Sequence, residues 1–417
     1  MQLKTILNCV HRQPGFVYGH VAWFTEGEHL ALRVEVRPHG RSRPRCSKCL
    51  KKRPGYDTLE ARQFAFVPLW GILVYLVYAM RRVDCPRCGV VVETVPWADG
   101  KERMTKAYAW FLAGWAKRLS WKEVAVAFHT SWDTVFRAVE MAVDWGLAHR
   151  NLDGVTAIGV DEVLWQRGYK FLTVVYQIDS GVRRLLWVGK DRKQKTLLKF
   201  FRKFGKAWSA KLQFICSDMW KPYLQVIARK AALAVHVLDR FHVASNMSKA
   251  IDKVRAGEAR ELKQKGYEPV LKHTRFCLLK RPENLTQNQE VTLAALLKLN
   301  LRAVRAYLLK EDFQWFWGYT SPYFAGIFLD RWVTRALRSR IEPMMQIARS
   351  LRTHRPLLLN WFRARGTIAL GAVEGLNNKL KVVTRRAYGF RSFRKAEVAL
   401  YHALGALPEP DSAHKFC

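Results

Sequence analysis

Ala157-Ile158-Gly159-Val160-Asp161-Glu162-Val163 sets two carboxylates at the end of an apolar run. Residues 156–161 have the composition of a β-strand. Side chains alternate between the two faces of a strand, so Asp161 and Glu162 face opposite sides. Asp161, directly after the apolar residues, is the candidate for the inward side. An ionised carboxylate there is costly unless it is paired or holds a metal ion.

Outward from this strand the pattern alternates. Residues 171–179 and 184–188 read as strands, 196–206 as a helix, 212–217 as a strand, 224–232 as a helix and 234–238 as a strand. Three strands, a helix, then strand, helix and strand predict an α/β unit with a mixed sheet flanked by helices. That order is the ribonuclease-H-like pattern. Residues 246–365 are basic and helical in pattern, and 366–410 supply one further helix starting near Thr367, with a loose tail over 408–417. Before the sheet, 96–150 carry apolar residues at helical spacing, enough for three or four short helices. Residues 1–95 hold strand-like runs at 30–36 and 72–78, with turns at 40–44 and 51–55. The expected domains are therefore 1–95, 96–150, 151–245, 246–365 as a helical insertion, and 366–417.

Composition narrows the partners. Lys and Arg total 71 against 34 Asp and Glu, a formal charge of +37 over 417 residues. Such a surface associates with nucleic acid by displacing counterions from phosphates. The most apolar run, 69–80, is too short to span a bilayer, which takes roughly 20 residues. It reads as a buried strand or strand pair. The start of the chain has no secretory pattern, so a cytoplasmic, nucleoid-associated setting without membrane contact is expected. Cysteines there bind metals more often than they form disulfides.

Cys46-x-x-Cys49 and Cys85-x-x-Cys88 are two knuckles, each able to aim two thiolates at one point. Together they complete a four-sulfur site suited to structural Zn2+, with no open position for chemistry. A zinc ribbon that grips DNA is expected. Cys9, Cys216, Cys277 and Cys417 show no ligand spacing. Around 121–143 lies a helix-turn-helix pattern. Ser120 caps a helix through Phe128 with Glu123 at the capping-box position. His129 to Ser131 make the turn, and Ser131 caps a second helix from Trp132 to about Val143. In a DNA-binding reading Trp132, Thr134 and Arg137 face the major groove; an ordinary helical hairpin is the bland alternative.

Two further acids stand out. Asp218 closes the 212–217 strand, at the carboxyl end where α/β sheets place functional groups. Glu374 is the only acid between 343 and 396, among 12 Lys and Arg. Asn377, Asn378 and Lys381 follow it at helical spacing, and Arg385 continues that face. A lone carboxylate on a DNA-facing basic helix would repel phosphate unless a cation lay between them.

Gly159-Val160-Asp161-Glu162, Ser217-Asp218-Met219-Trp220, Asp239-Arg240-Phe241-His242-Val243 and Glu374-Gly375-Leu376-Asn377-Asn378-Lys379 together resemble the ISL3 family of bacterial insertion-sequence transposases. So do Arg386-Ala387-Tyr388-Gly389-Phe390-Arg391 and the order ribbon, helix-turn-helix, catalytic domain. The resemblance implies a ribonuclease-H-like core with a DDE triad of Asp161, Asp218 and Glu374, holding two Mg2+ or Mn2+ ions. Asp239 also closes a strand and is the rival second acid. With His242 it forms a pair similar to one that supports the site in related transposases. Asn377, Asn378 and Lys381 are further supporting residues, and Lys379, Arg385, Arg386 and Arg391 are expected to touch DNA.

The resulting expectation is an enzyme that binds the terminal inverted repeats of an insertion sequence, cuts at its ends and joins them to double-stranded target DNA. A homo-oligomer, most simply a dimer on DNA, brings two ends together. The aromatics Trp315, Trp317, Tyr319 and Tyr323 are candidates for base stacking, though such residues more often make core or subunit contacts. Two rival readings remain: a non-catalytic zinc-ribbon and helix-turn-helix regulator derived from a transposase, and a nuclease on the same core that cuts without joining.

Overall fold

The computed structural model describes residues 2–166, 168, 170–365, 367–368 and 371–411. Cys417 and the end of the expected tail lie outside them. The chain divides into two units: residues up to Asn151 with those from Val382 onward, and Leu152–Lys381. No helix is long and apolar enough to cross a membrane among the described residues.

The first unit opens with α1 (Leu3–Val10) and a sheet of β1 (Phe16–Glu26), β2 (His29–Pro38), β3 (Gly55–Leu69), β4 (Ile72–Cys85) and β5 (Gly89–Val92). The strand order is β1-β2-β4-β3, with β5 on the Cys85 end of β4. Only the β2–β4 pair is parallel. Trp70 and Gly71, with φ of 50° and 81°, make the two-residue turn whose twist suits the β3–β4 hairpin. The apolar 69–80 run is this turn and the first part of β4. Then come α2 (Lys106–Ala116), α3 (Trp121–Ala127) and α4 (Trp132–His149). α4 runs past the expected end near Val143 because Val143 and Gly146 continue its buried stripe.

The second unit holds β6 (Ala157–Gln166), β7 (Lys170–Gln177), β8 (Arg184–Lys190), α5 (Gln194–Phe204), α6 (Lys206–Ala210), β9 (Phe214–Ser217), α7 (Lys221–Lys230) and β10 (Val235–Leu238). Its order is β10-β9-β6-β7-β8. β6, β7 and β8 are antiparallel, while β9 and β10 run parallel to β6 and to each other. Asp161 therefore sits inside a strand rather than at its end. Ile158, Val160, Val175 and Ile215 pack one face against Phe200, Phe201, Tyr223 and Val226 of α5 and α7.

Helices follow: α8 (Arg240–Gln264), α9 (Arg275–Leu279), α10 (Gln287–Leu297), α11 (Arg302–Gln314), α12 (Pro322–Arg338), α13 (Glu342–Thr353) and α14 (Arg355–Ala364). They share a core built on Tyr307, Phe313, Phe316 and Trp332. Trp315 and Tyr323 are exposed, whereas Trp317 and Tyr319 pack against that core. α14 lies along β10, where the Asn360 amide donates to the His236 carbonyl at 2.8 Å.

Where one C-terminal helix was expected, the chain forms two: α15 (Ala372–Arg386) and α16 (Phe393–Leu404). The break falls at Tyr388 and Gly389, both with left-handed φ, and α15 starts at Ala372 rather than near 367. α16 packs on α4, with Arg394 bonded to Glu140 and Asp144 at 2.8 Å. Glu409 pairs with Lys117, so the described part of the 408–417 tail is docked, not loose.

Candidate active site and metal centre

Strand register brings three acids to one level. Val160 pairs with Ser217, and Ser217 with Leu238. One step further along each strand stand Asp161, Asp218 and Asp239, and the Asp239 N–H still donates to the Ser217 carbonyl at 2.9 Å. The parallel pair thus delivers Asp218 and Asp239 at its carboxyl end, beside Asp161 on the central strand.

Asp161 is 8% exposed. One carboxylate oxygen accepts the Glu162 N–H at 2.7 Å, and the other accepts the Asn377 amide at 2.5 Å. The Asn377 carbonyl in turn accepts the Tyr176 hydroxyl at 2.9 Å, which fixes the amide's orientation. Burial raises the Asp161 carboxyl above its ordinary range, opposed by the charge of His242. His242 Nε2 stands 3.8 Å from Asp161, and Nδ1 is 3.1 Å from Asp239. The hydrogen bond to Asp239 is the main reason His242 is pushed up to about 9. Asp239 also caps α8 by accepting the Phe241 N–H at 2.8 Å.

Glu162 faces the other side, as alternation requires. Burial and the nearby Asp218 charge raise it to about 7, against the pull of Arg192. Arg192 lies 2.5 Å from Glu162 and 3.7 Å from Asp218, stacked 4.5 Å over the Trp220 ring. Asp218 also accepts the Trp220 N–H at 3.0 Å.

The helix bearing Glu374 docks against Asp161's face of the sheet. Gly159 makes this possible: a Cβ there would lie 2.3 Å from Val373 Cγ2. Val373, Leu376, Asn377 and Leu380 form the buried stripe of α15. Glu374, Asn378, Lys381 and Arg385 are exposed. Asn377 therefore does not share the Glu374 face, as sequence spacing suggested. It belongs to the stripe that meets the sheet. Glu374 sits in the first turn of α15, one turn before Asn377. Among the described residues only the four cysteines bring three or more metal-ligating side chains within 4.8 Å of one another. Asp161, Asp218 and Glu374 do not form such a closed group.

Sequence reading missed Arg192, Tyr176 and the role of Gly159. A glycine inside an apolar strand signals close approach of another element, and that signal was available beside Asp161. Arg192 sits just past β8 and carries no local mark.

In the first unit the Cys46, Cys49, Cys85 and Cys88 sulfurs lie within 4.8 Å of one another. Cys49 and Cys85 are 3.7 Å apart, close to the sulfur spacing of about 3.8 Å that a tetrahedral zinc with bonds of about 2.3 Å imposes. Each knuckle ends on a left-handed residue, Leu50 and Gly89. The Cys49 N–H holds the Cys46 thiol below its usual range. The quartet can hold a zinc ion. Beside it a cavity of about 730 Å3 is rimmed by Arg41, Arg43, Arg45 and Lys52.

The capping box of Ser120 and Glu123 is present. His129 turns the chain at φ 47°, and Ser131 caps α4. Trp132 is half-buried between Trp121, Phe136 and Lys395. Thr134 bonds Ser131, while Arg137 is exposed near Glu102. Lys379, Arg385, Arg386 and Arg391 are exposed.

Residues 158–400 match the ISL3 family of DDE transposases, described as "Transposase". The chain is 29% identical over 392 residues to the transposase for insertion sequence element IS1557 of Mycobacterium tuberculosis, covering 88% of this chain and 87% of that one. It is 27% identical over 349 residues to the transposase for insertion sequence element IS1001 of Bordetella parapertussis, covering 83% and 85%. Asp161, Asp218, Asp239, His242 and Glu374 fall within the family match; the cysteine quartet and α3–α4 precede it.

Proposed function

The chain belongs to the ISL3 family of transposases, and on that premise we propose that it cuts DNA at the ends of an insertion sequence and joins those ends to target DNA. The carrying observation is the hold of Asn377 on Asp161. The helix that bears Glu374 is fastened to the central strand of a sheet whose parallel strands β9 and β10 are followed directly by Asp218 and Asp239. The order β10-β9-β6-β7-β8, antiparallel then parallel, supports a ribonuclease-H-like core.

Asp161, Asp218 and Glu374 are the residues that would hold two Mg2+ or Mn2+ ions. The donor set fits: oxygen ligands suit hard cations, and Asp161 is a buried carboxylate with no Lys or Arg paired to it among the described residues. Bound there, the ions would activate water or a 3′-hydroxyl and stabilise the leaving oxygen. The protein's own groups orient the site. Asn377 fixes one oxygen of Asp161, and His242, held by Asp239, sets a positive charge beside it. Arg192 restrains Asp218 and shields it from Glu162. Bringing all three carboxylates onto shared cations requires the exposed Glu374 side chain to turn towards Asp161.

The ribbon, its basic cavity and the α3–α4 pair would bind the inverted repeats, and the basic helices after β10 would hold flanking DNA. Two ends held together imply a dimer or larger assembly. Joining of a pre-cut end to a plasmid in Mg2+ tests the reading. Asp161→Asn and Asp218→Ala should each abolish it while leaving DNA binding intact. Joining that persists in either variant sinks the carboxylate assignment, and wild-type cutting without joining favours a nuclease.

A further inference from the structure

The turn that ends α15 presents an aromatic side chain in a way that folding alone does not account for. The Gly389 N–H donates to the Thr384 carbonyl at 3.0 Å, and the Tyr388 N–H to the Arg385 carbonyl at 2.9 Å. These two bonds close a helix with a left-handed residue just beyond its cap, where glycine is usual. Here the left-handed residue is Tyr388, at φ +50°, a conformation unfavourable for any side chain with a Cβ. Packing does not offset that cost, because Tyr388 is 101% exposed.

The residues around it are anchored. Arg386 donates to the Arg118 carbonyl at 2.5 Å and stands 3.9 Å from Glu123. Phe390 is buried at 9% exposure. The ring is therefore held out from a turn fixed on both sides, and Arg385 and Arg391, three residues before and after it in the chain, are exposed as well. Strain retained at an exposed position points to binding. An aromatic face flanked by guanidinium groups has the chemistry of a nucleobase platform, with cations for the adjoining phosphates.

We propose that Tyr388 is a DNA-binding residue that stacks on an unpaired nucleobase, while Arg385 and Arg391 contact the neighbouring phosphates. The choice of DNA rests on the transposase reading, but stacking needs neither active-site metal nor catalysis.

The test uses the full chain without added Mg2+ or Mn2+ and without chelator, so the cysteine site is undisturbed and no cutting occurs. The probes are a blunt duplex and the same duplex with a single-stranded 3′ tail carrying a fluorescent adenine analogue. Wild type should prefer the tailed duplex and quench the analogue, and Tyr388→Phe should do the same. Tyr388→Gly, which relieves the backbone, should lose roughly 10-fold in affinity for the tailed duplex alone, with a melting temperature unchanged or a few degrees higher. An unquenched analogue in the wild type, or a Gly variant that binds the tail as wild type does, overturns the proposal. If that happens while wild type still joins DNA ends in Mg2+, only the stacking role fails. If stacking holds but joining is absent, the transposase reading fails and this one stands.

Discussion

Asp161 and Glu162 are adjacent in the chain and opposite in surroundings. Asp161 is tied to Asn377 and stands beside His242, whereas Glu162 shares Arg192 with Asp218. Glu162 is raised from 4.5 to about 7, chiefly by burial. A raised acid binds its proton more tightly in the folded chain than in the unfolded one. The associated stability is complete below pH 4.5 and is lost as the pH climbs through about 7. Glu162→Gln, neutral at every pH, should therefore melt higher than wild type above pH 7 and equal it below pH 4.5. Thermal melts at the two pH values check this, and an identical offset at both contradicts it. His242 works in the opposite range. Raised to about 9 by Asp239, it stays charged at neutral pH, and its stabilising charge is lost as the pH passes about 9. The melting difference between wild type and His242→Gln should shrink over that rise. Asn377→Ala leaves an Asp161 oxygen and the Tyr176 hydroxyl without their partner, at a cost of about 1–3 kcal/mol. Joining should fall further than the melting temperature alone explains.

α15 is positioned by an absence of side chain. Gly159→Ala places a Cβ 2.3 Å from Val373 and should cost about 1–3 kcal/mol as the helix is pushed away. Val373→Ala in the same chain should recover part of both stability and joining; melting and strand-transfer assays on the single and double variants decide it. With zinc loaded on the cysteine quartet, its removal by a chelator should destabilise the first unit and leave the sheet of the second unit folded, read by zinc release against circular dichroism. How much of this was legible follows from element type. β6 to β10 and two of the helices between them, α5 and α7, could be read because the apolar runs are short, punctuated and β-branched, whereas the five-residue α6 went unread; the cysteine knuckles could be read because spacing alone defines them. α1 and β1 were missed: Phe16–Glu26 mixes glycine, histidine and aromatics and is mostly half-buried or exposed, so no clean alternation survives. Asn377 was assigned to the wrong face because i+3 and i+4 neighbours of Glu374 are equally close in sequence terms. Only the sheet beneath α15 separates them.

At the level of the whole chain, a formal +37 would make the proposed DNA binding steeply dependent on salt. Each phosphate neutralised contributes a slope of about 0.9 in the logarithm of affinity against the logarithm of salt. Replacing Arg41, Arg43 and Arg45 with Ala should flatten the slope by about that much for every phosphate left without its cation. Binding titrations across salt measure it, with zinc content as the control for folding. An unchanged slope would remove the ribbon cavity from the DNA-binding surface.

The Asn360 bond to the His236 carbonyl also has a consequence during synthesis. The two residues are 124 apart in sequence, and β10 is the outer strand of its sheet. At translation rates of about 5–20 residues per second, β10 leaves the ribosome about 6–25 s before the helix that covers it. Throughout that interval its rim is open to strands of other nascent copies. Slowing elongation late in the message should therefore increase the insoluble fraction, and Asn360→Ala should increase it further.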